Sequence, residues 1–103
     1  MGAVIAEFSV IPLGLKETSL SKYVAEAIKI VKDSGIKYQL TPMGTILEDD
    51  SLERILSVIQ RVHNALFELG IPRLLTRISI DERRDVSRTM ESKVESVLRR
   101  LES

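Results

Sequence analysis

Two hydrophobic periods alternate along this chain, and their order limits the folds that it can adopt. The segments in which apolar and polar residues alternate, a pattern that predicts strands, are 3–11, 36–41, about 45–48 and 73–80. The segments with apolar residues at helical spacing are about 20–34, 52–69 and 86–101. The predicted order is βαββαβ followed by a third helix. This order indicates an α+β, ferredoxin-like sandwich with helices on one face of a four-stranded sheet.

Turn and cap residues predict where these elements begin and end. Pro12 is expected to end the first strand, since proline cannot donate to a ladder. Thr18 or Ser19 can cap the first helix. Asp49, Asp50 and Ser51 form a dense capping signal before the second helix, in which Asp50 and Glu53 have capping-box spacing. Asp85 is expected to cap the last helix, with the apolar stripe of that helix facing inward.

Length and composition narrow the class of protein. A chain of 103 residues has room for one core, so residues 1–103 are expected to form a single domain. The 15 basic and 15 acidic residues cancel, which argues against a nucleic-acid partner held by clustered cations. The absence of Cys removes disulfides, thiol catalysis and thiolate metal sites. The one histidine, His63, lies on the flank of a helical stripe and is expected to be a packing or interface residue and not a ligand.

The apolar stretches are too short and too interrupted to cross a membrane. Glu7 interrupts the first apolar stretch, and no basic segment precedes that stretch, so it is not predicted to be a signal peptide. The sequence therefore predicts a soluble, cytoplasmic protein without a membrane partner.

The sheet face turned away from the helices is expected to be apolar in part. Its residues include Ile5, Ile11 and Leu75, which are unsuited to a fully wet surface. We expect this face to pack on another subunit. The alternative is that the last helix folds over the sheet and covers it.

Glu7 is the unusual residue of the first strand. A carboxylate on a sheet face that becomes buried needs a partner. It could bind a cation or an amine of a ligand. The favoured alternative is a cross-strand ion pair with Arg77 or Lys37.

A second candidate lies in the segment MGTILE at residues 43–48. Thr45 and Glu48 offer a hydroxyl and a carboxylate that can accept hydrogen bonds from an amino group. Met43 and Gly44 place a flexible apolar contact beside them. From the residues alone, an exposed Glu48 that leads into an acidic helix cap is equally compatible with the pattern.

Ser9 and the loop 12–19 form the third candidate. A loop that leads into a helix presents free backbone N–H groups, so Thr18 and Ser19 could hold an anion or a polar ligand. Ordinary helix capping is the favoured alternative.

No catalytic motif is present in the sequence. The segment DERRD at 81–85 is better explained as a salt-bridged loop than as an acid–base site, and there is no phosphate-binding loop, nucleophile elbow or HExxH segment. Of the stacking aromatics that RNA binding would need on the central strands, only Phe8 is present. The residues alone therefore indicate a small α/β oligomer and favour ligand binding over catalysis.

Several short segments together resemble the small thiamine-binding protein family. They are VIPLG at 10–14, TSLSKYV at 18–24, MGTILE at 43–48, ISIDERRD at 78–85 and KVESV at 93–97. They follow the order and spacing of the family over nearly the whole chain. The resemblance implies a ferredoxin-like fold whose subunits pair into homodimers, and whose dimers join into homotetramers.

The resemblance also implies a ligand, which is thiamine or its hydroxymethylpyrimidine moiety, without turnover and without a cofactor or metal. The pocket is expected on the sheet face near the subunit interface. The residues that the resemblance and the chemistry together assign to it are Ser9, Ile11, Ser19, Met43, Thr45 and Glu48. The alternative function is a regulatory or structural oligomeric module with no small-molecule ligand. An enzyme of thiamine metabolism that uses Glu48 or Asp81 as a base is a third, less favoured hypothesis.

Overall fold

A computed structural model describes residues 4–16, 20–86 and 88–102. They form one antiparallel sheet with the strand order β2-β3-β1-β4, together with three helices. The strands are β1 (Val4–Leu13), β2 (Lys37–Leu40), β3 (Thr45–Asp49) and β4 (Arg73–Glu82). The helices are α1 (Ser21–Ser34), α2 (Leu52–Glu68) and α3 (Met90–Glu102). The predicted fold class, an α+β ferredoxin-like sandwich with an additional C-terminal helix, is confirmed.

The alternation along β1 divides the sheet into a helix-covered face and an open face. Val4, Ala6 and Phe8 are buried in one cluster with residues of α1 and α2. Ile5 and Glu7 point to the opposite, open face. The core is mainly aliphatic, as the low aromatic content requires, and its largest fully buried side chains are Leu47, Ile55, Leu66, Val4, Val31 and Val62.

Both long strands extend further than the sequence predicts. Pro12 does not end β1, because β1 continues to Leu13 while paired with β4 on one side. A proline is tolerated there because β3 has already ended on the other side. Asp81 and Glu82 belong to β4 and not to a loop, since they pair with Ile5 and Val4.

The caps of the first two helices agree with the prediction only in part. The N-cap residue of α1 is Leu20, whose side chain makes no capping hydrogen bond. The predicted caps Thr18 and Ser19 lie outside the described residues. The α2 helix is capped by Ser51, a residue of the predicted capping signal, whose Oγ accepts a hydrogen bond from the Arg54 N–H at 3.2 Å. The capping box expected to begin at Asp50 is therefore wrong.

The last helix begins later than predicted and packs differently. α3 starts at Met90, and Met90 is its only buried residue among those described. Met90 was expected to face inward, and it does, but the other residues expected to do so are exposed: Val86, Val94, Val97, Leu98 and Leu101. The Asp85 carboxylate pairs with Arg83 and does not cap the helix. The helix is therefore not folded down over the open sheet face, and its apolar stripe has no partner within the described residues.

Polar contacts in its first turn hold α3 to the sheet. The buried carboxylate of Glu48 accepts a hydrogen bond from the Met90 N–H at 2.7 Å. Glu91 pairs with Lys37, and Lys93 pairs with Asp81. Lys37 lowers the pKa of Glu91, and Lys93 lowers the pKa of Asp81. The Glu91 carboxylate is likewise the main reason that the pKa of Lys37 is raised.

These pKa shifts predict that α3 loosens in acid. A carboxyl group with a lowered pKa stabilises the folded state fully above its ordinary value, here 3.8 for Asp81 and 4.5 for Glu91. This stabilisation is lost as the pH falls through the lowered pKa. We expect hydrogen-exchange protection factors of α3 amides to fall in that range before those of β1 do. Asp81→Asn should remove part of the pH dependence. Equal protection of α3 throughout the acid range would contradict this assignment.

Candidate functional site

The two neighbours of β1 differ in length, and this difference opens a notch in the sheet. β4 pairs with β1 along its whole length, from Val4 to Leu13. β3 pairs with it only from Val4 to Phe8, where Thr45 is the last partner. The edge of β1 beyond Phe8 therefore has no β3 neighbour. The turn between β2 and β3 lies beside this free edge.

Hydrogen bonds within residues 41–44 hold that turn in place. The Thr41 Oγ1 accepts from the backbone N–H groups of Met43 at 3.3 Å and Gly44 at 3.1 Å, and it donates to the Gly44 carbonyl oxygen at 2.8 Å. A Cβ atom on Gly44 would lie 2.9 Å from the carbonyl oxygen of Phe8. Glycine is therefore needed at position 44 for the turn to approach β1 this closely.

A cavity of about 450 Å³ fills the notch and reaches both faces of the sheet. Its wall on the helix side is mostly apolar and contains Phe8, Val10, Val24, Ala27 and Thr45. Its wall on the open face is polar and charged and contains Glu7, Ser9, Ile11, Arg77 and Ser79. The turn 41–44 and Leu40 close one side. An apolar slot with a few convergent polar groups is the usual form of a small-molecule site.

Two charged side chains of opposite sign stand at the open-face rim of this cavity. In the strand register, Glu7 lies opposite Ser79 and Arg77 lies opposite Ser9. Both charged residues are exposed, and neither forms a hydrogen bond or ion pair with the residues that the structure describes. The cross-strand pair that was favoured for Glu7 is therefore wrong. Lys37, the other predicted partner, is occupied by Glu48 and Glu91.

Four of the six predicted binding residues line this one cavity. They are Ser9, Ile11, Met43 and Thr45. Thr45 is 5% exposed and belongs to the helix-covered layer, whereas Met43 is 84% exposed at the tip of the turn. Ser19 lies outside the described residues. That these side chains contact a ligand stays a prediction.

Glu48 does not line the cavity. It stands three residues from Thr45 on one strand, so the two side chains point to opposite faces. Glu48 lies opposite Ile5, is 6% exposed, and accepts hydrogen bonds from the Met90 N–H and, at 3.2 Å, from Lys37 Nζ. The structure thus assigns Glu48 to the attachment of α3, a role that the sequence analysis missed. The odd spacing of Thr45 and Glu48 was the signal that they could not converge on one face.

The remaining candidates have structural roles. His63 Nδ1 lies 2.8 Å from the Thr76 Oγ1, and its ring meets Phe67 edge to face with centroids 5.1 Å apart. The prediction of a packing histidine is confirmed. The segment 81–85 is salt-bridged as expected, and Arg83 lowers the pKa of Asp85 to about 2. Within the described ranges, no three metal-ligating side chains form a group that could hold a metal ion. No helix in that part of the chain has the length and apolarity to cross a membrane.

Relatives of known sequence match this chain over nearly its full length. A UPF0045 protein of Bacillus subtilis, YqgV, is 45% identical over 102 residues, which cover 95% of this chain and 97% of the relative. A UPF0045 protein of Methanothermobacter thermautotrophicus is 42% identical over 94 residues, which cover 91% of this chain and 95% of the relative.

Solved structures show the same fold. A hypothetical protein of Methanocaldococcus jannaschii superposes with a TM-score of 0.84 at 38% identity, over 94% of this chain and 97% of its own. A Thermotoga maritima protein, described provisionally as acting in thiamine biosynthesis or salvage, gives a TM-score of 0.78 over 91% of this chain and 97% of its own. At 24% identity, this second likeness shows the fold alone.

The family model described as "Thiamine-binding protein" matches residues 6–98 of this chain. The matched range contains all four strands apart from the first two residues of β1, the whole turn 41–44, and most of α3. It therefore includes every described residue that lines the cavity. The chain belongs to the thiamine-binding protein family.

Proposed function

We propose that this protein binds thiamine, or the hydroxymethylpyrimidine moiety of thiamine, in the cavity beside Thr45 at the start of β3, and that it does not catalyse a reaction of this ligand. The observation that carries the proposal is the carboxylate of Glu7, which pairs with none of the described residues, at the rim of a largely apolar slot. A cationic or amine-bearing aromatic ligand needs this combination of an apolar wall for its ring and an acceptor for its charged end.

The chemistry of the cavity wall matches the parts of thiamine. Phe8, Val10 and Val24 offer apolar contacts to a flat pyrimidine ring. The hydroxyls of Ser9 and Thr45 can donate to its ring nitrogens and accept from its amino group. The Glu7 carboxylate can accept from the amino group or lie against the positive charge of the thiazolium ring. Glu7 thus takes the acidic role that the sequence analysis had assigned to Glu48.

A binding function without catalysis is favoured by the ionisable groups of the cavity. Within the described residues, those in its wall are Glu7 and Arg77. Arginine stays protonated at all ordinary pH values and is a poor proton acceptor or donor in catalysis. An isolated carboxylate lacks the acid–base partner that proton-transfer chemistry uses. The family name supports the same ligand class.

We also propose that the protein works as a homodimer that assembles to a homotetramer, with the cavity near a subunit interface. The support is the exposed apolar surface of Leu75 on the open face and of Val97, Leu98 and Leu101 on α3. In a second copy, the same surfaces would provide an apolar partner for them. These residues equally favour the alternative function, an oligomeric module without a ligand, so a binding measurement must separate the two.

Isothermal titration with thiamine and with hydroxymethylpyrimidine tests the proposal. We expect saturable binding near one ligand per chain. Glu7→Gln keeps the shape of the side chain but removes its charge, and it should weaken thiamine binding about tenfold, since a hydrogen bond to a charged group contributes at least about 1.5 kcal/mol. Glu53→Gln, an exposed carboxylate on α2 outside the cavity, is the matched control and should leave affinity unchanged.

Each result of that titration decides between the two functions. Equal affinity of the Glu7→Gln and Glu53→Gln variants for thiamine would remove Glu7 from the site. Absence of binding to either compound, with a melting temperature that ligand does not raise, would leave the oligomeric module as the better function. Sedimentation equilibrium on the same ligand-free sample would show whether the assembly forms independently of the ligand.

A further inference from the structure

We propose that the cavity takes a phosphate monoester of its ligand, with Arg77 as the anion-binding residue. This inference rests on the proposed function, because it concerns a second group on the same bound molecule. The chemical class is a cationic or amine-bearing heteroaromatic alcohol whose hydroxyl carries a phosphate. Thiamine monophosphate and hydroxymethylpyrimidine phosphate both have this form.

The placement of Arg77 carries the argument. It lies on the open face of β4, directly opposite Ser9 and two residues from Ser79, and all three line the cavity. Within residues 4–16, 20–86 and 88–102, no hydrogen bond or ion pair occupies its guanidinium or either hydroxyl. A free guanidinium flanked by two free hydroxyls is a donor set suited to phosphate oxygens.

The guanidinium of Arg77 has no partner among the described residues, although the carboxylate of Glu7 lies nearby. Glu7 is the diagonal neighbour of Arg77 across the β1–β4 pair, a position about 7–8 Å away between backbones. Side chains of this length can meet over that span, yet each charge remains open towards the cavity. Two separate and opposite charges at one rim fit a ligand that carries both a positive and a negative end.

Free thiamine uses only one of these charges. Its ring system offers an amino group and a positive charge to Glu7, but it presents no anion to Arg77. A phosphate on the hydroxyethyl arm of thiamine would supply the second charge. Glu7 repels such a phosphate, but this repulsion acts through solvent across the diagonal, whereas Arg77 can form direct, two-pronged hydrogen bonds.

Titrations at one fixed ionic strength, with thiamine, thiamine monophosphate and inorganic phosphate as the probes, test the inference. We expect the wild-type protein to bind the monophosphate about tenfold more tightly than thiamine, the gain typical of one charge-assisted hydrogen-bonded contact. In Arg77→Gln, that ratio should fall to about one, because the phosphate loses its hydrogen-bonding partner and the dissociation constant for the monophosphate rises. The matched control is Arg73→Gln, on the same strand and the same face but outside the cavity, which should keep the wild-type ratio.

The outcomes separate this inference from the proposed function. If thiamine binds but the monophosphate binds no more tightly, or if Arg77→Gln keeps the preference, the phosphate subsite is wrong and the binding function stands. If the monophosphate binds through Arg77 while thiamine does not bind at all, the subsite stands and the phosphate ester is the true ligand. If neither compound binds, both proposals fail.

Circular dichroism and melting temperatures of the variants confirm that each one is folded. Arg77→Lys should give an intermediate ratio of the two affinities, because it keeps the charge but loses the planar guanidinium.

Discussion

Replacement of Leu47 by alanine is expected to lower the free energy of unfolding by about 3 kcal/mol, within the range of 2–5 for buried leucines. Leu47 is fully buried at the centre of β3, between Ala6 of β1 and Tyr38 of β2. Removing its side chain loses apolar burial and leaves a cavity against α2 that the rigid sheet cannot close. Urea unfolding at a fixed protein concentration measures the change, since assembly would make stability depend on concentration.

The control for this variant is Leu69→Ala at the end of α2. Leu69 is 53% exposed, so its truncation should cost less than about 0.5 kcal/mol. A similar loss in both variants would mean that exposed leucines are buried in the assembly. A loss below 1 kcal/mol for Leu47→Ala would show that the position can collapse, against the core described above.

Replacement of Glu48 by alanine is expected to release α3 at a cost of about 2 kcal/mol, because the buried Met90 N–H loses its charged acceptor. The neighbouring residues Leu47 and Glu48 face opposite sides of the sheet, so the two substitutions should destabilise different parts of the protein. Leu47→Ala weakens the whole domain. Glu48→Ala should raise amide exchange chiefly in α3 and leave the exchange of β1 and α2 nearly unchanged.

Two comparisons test the role of Glu48. Glu91→Gln removes an exposed partner of Lys37 and should leave the free energy of unfolding nearly unchanged, as is usual for surface ion pairs. Thiamine affinity should be retained in Glu48→Gln, because Glu48 lies outside the cavity wall. If Glu48→Gln lost binding while its α3 exchange stayed at the wild-type level, the ligand role first predicted for Glu48 would be restored.

The class of the fold was accessible from local periodicity. Strand and helix patterns are periodicities of apolar residues within short segments, so the order of elements and the two faces of β1 follow from the sequence. Gly35 adopts the left-handed conformation with φ at 80°, as expected for a residue that ends a helix. The resemblance that named the family also lies in contiguous segments. Such features depend on residues that are a few positions apart in the chain, so the sequence alone is enough to predict them.

The candidate site depends on distances that no local pattern encodes. The notch exists because β3 begins only at Thr45, opposite Phe8, whereas β4 pairs with β1 as far as Leu13. Strand register of this kind is set by packing across the whole sheet. The same register put Glu7 and Arg77 at one rim without joining them, and it turned Glu48 away from Thr45.

The packing of α3 is the other feature that only the tertiary structure decided. Its apolar stripe has the helical spacing of a core-facing helix, so the periodicity predicts burial without naming the surface that covers it. In the described chain that stripe stays exposed, and polar contacts from Glu48, Lys37 and Asp81 hold the first turn. Local sequence determines which side chains share a face of an element. The long-range pairing of elements determines what that face meets, because the free energy of burial depends on neighbours that are distant in the chain.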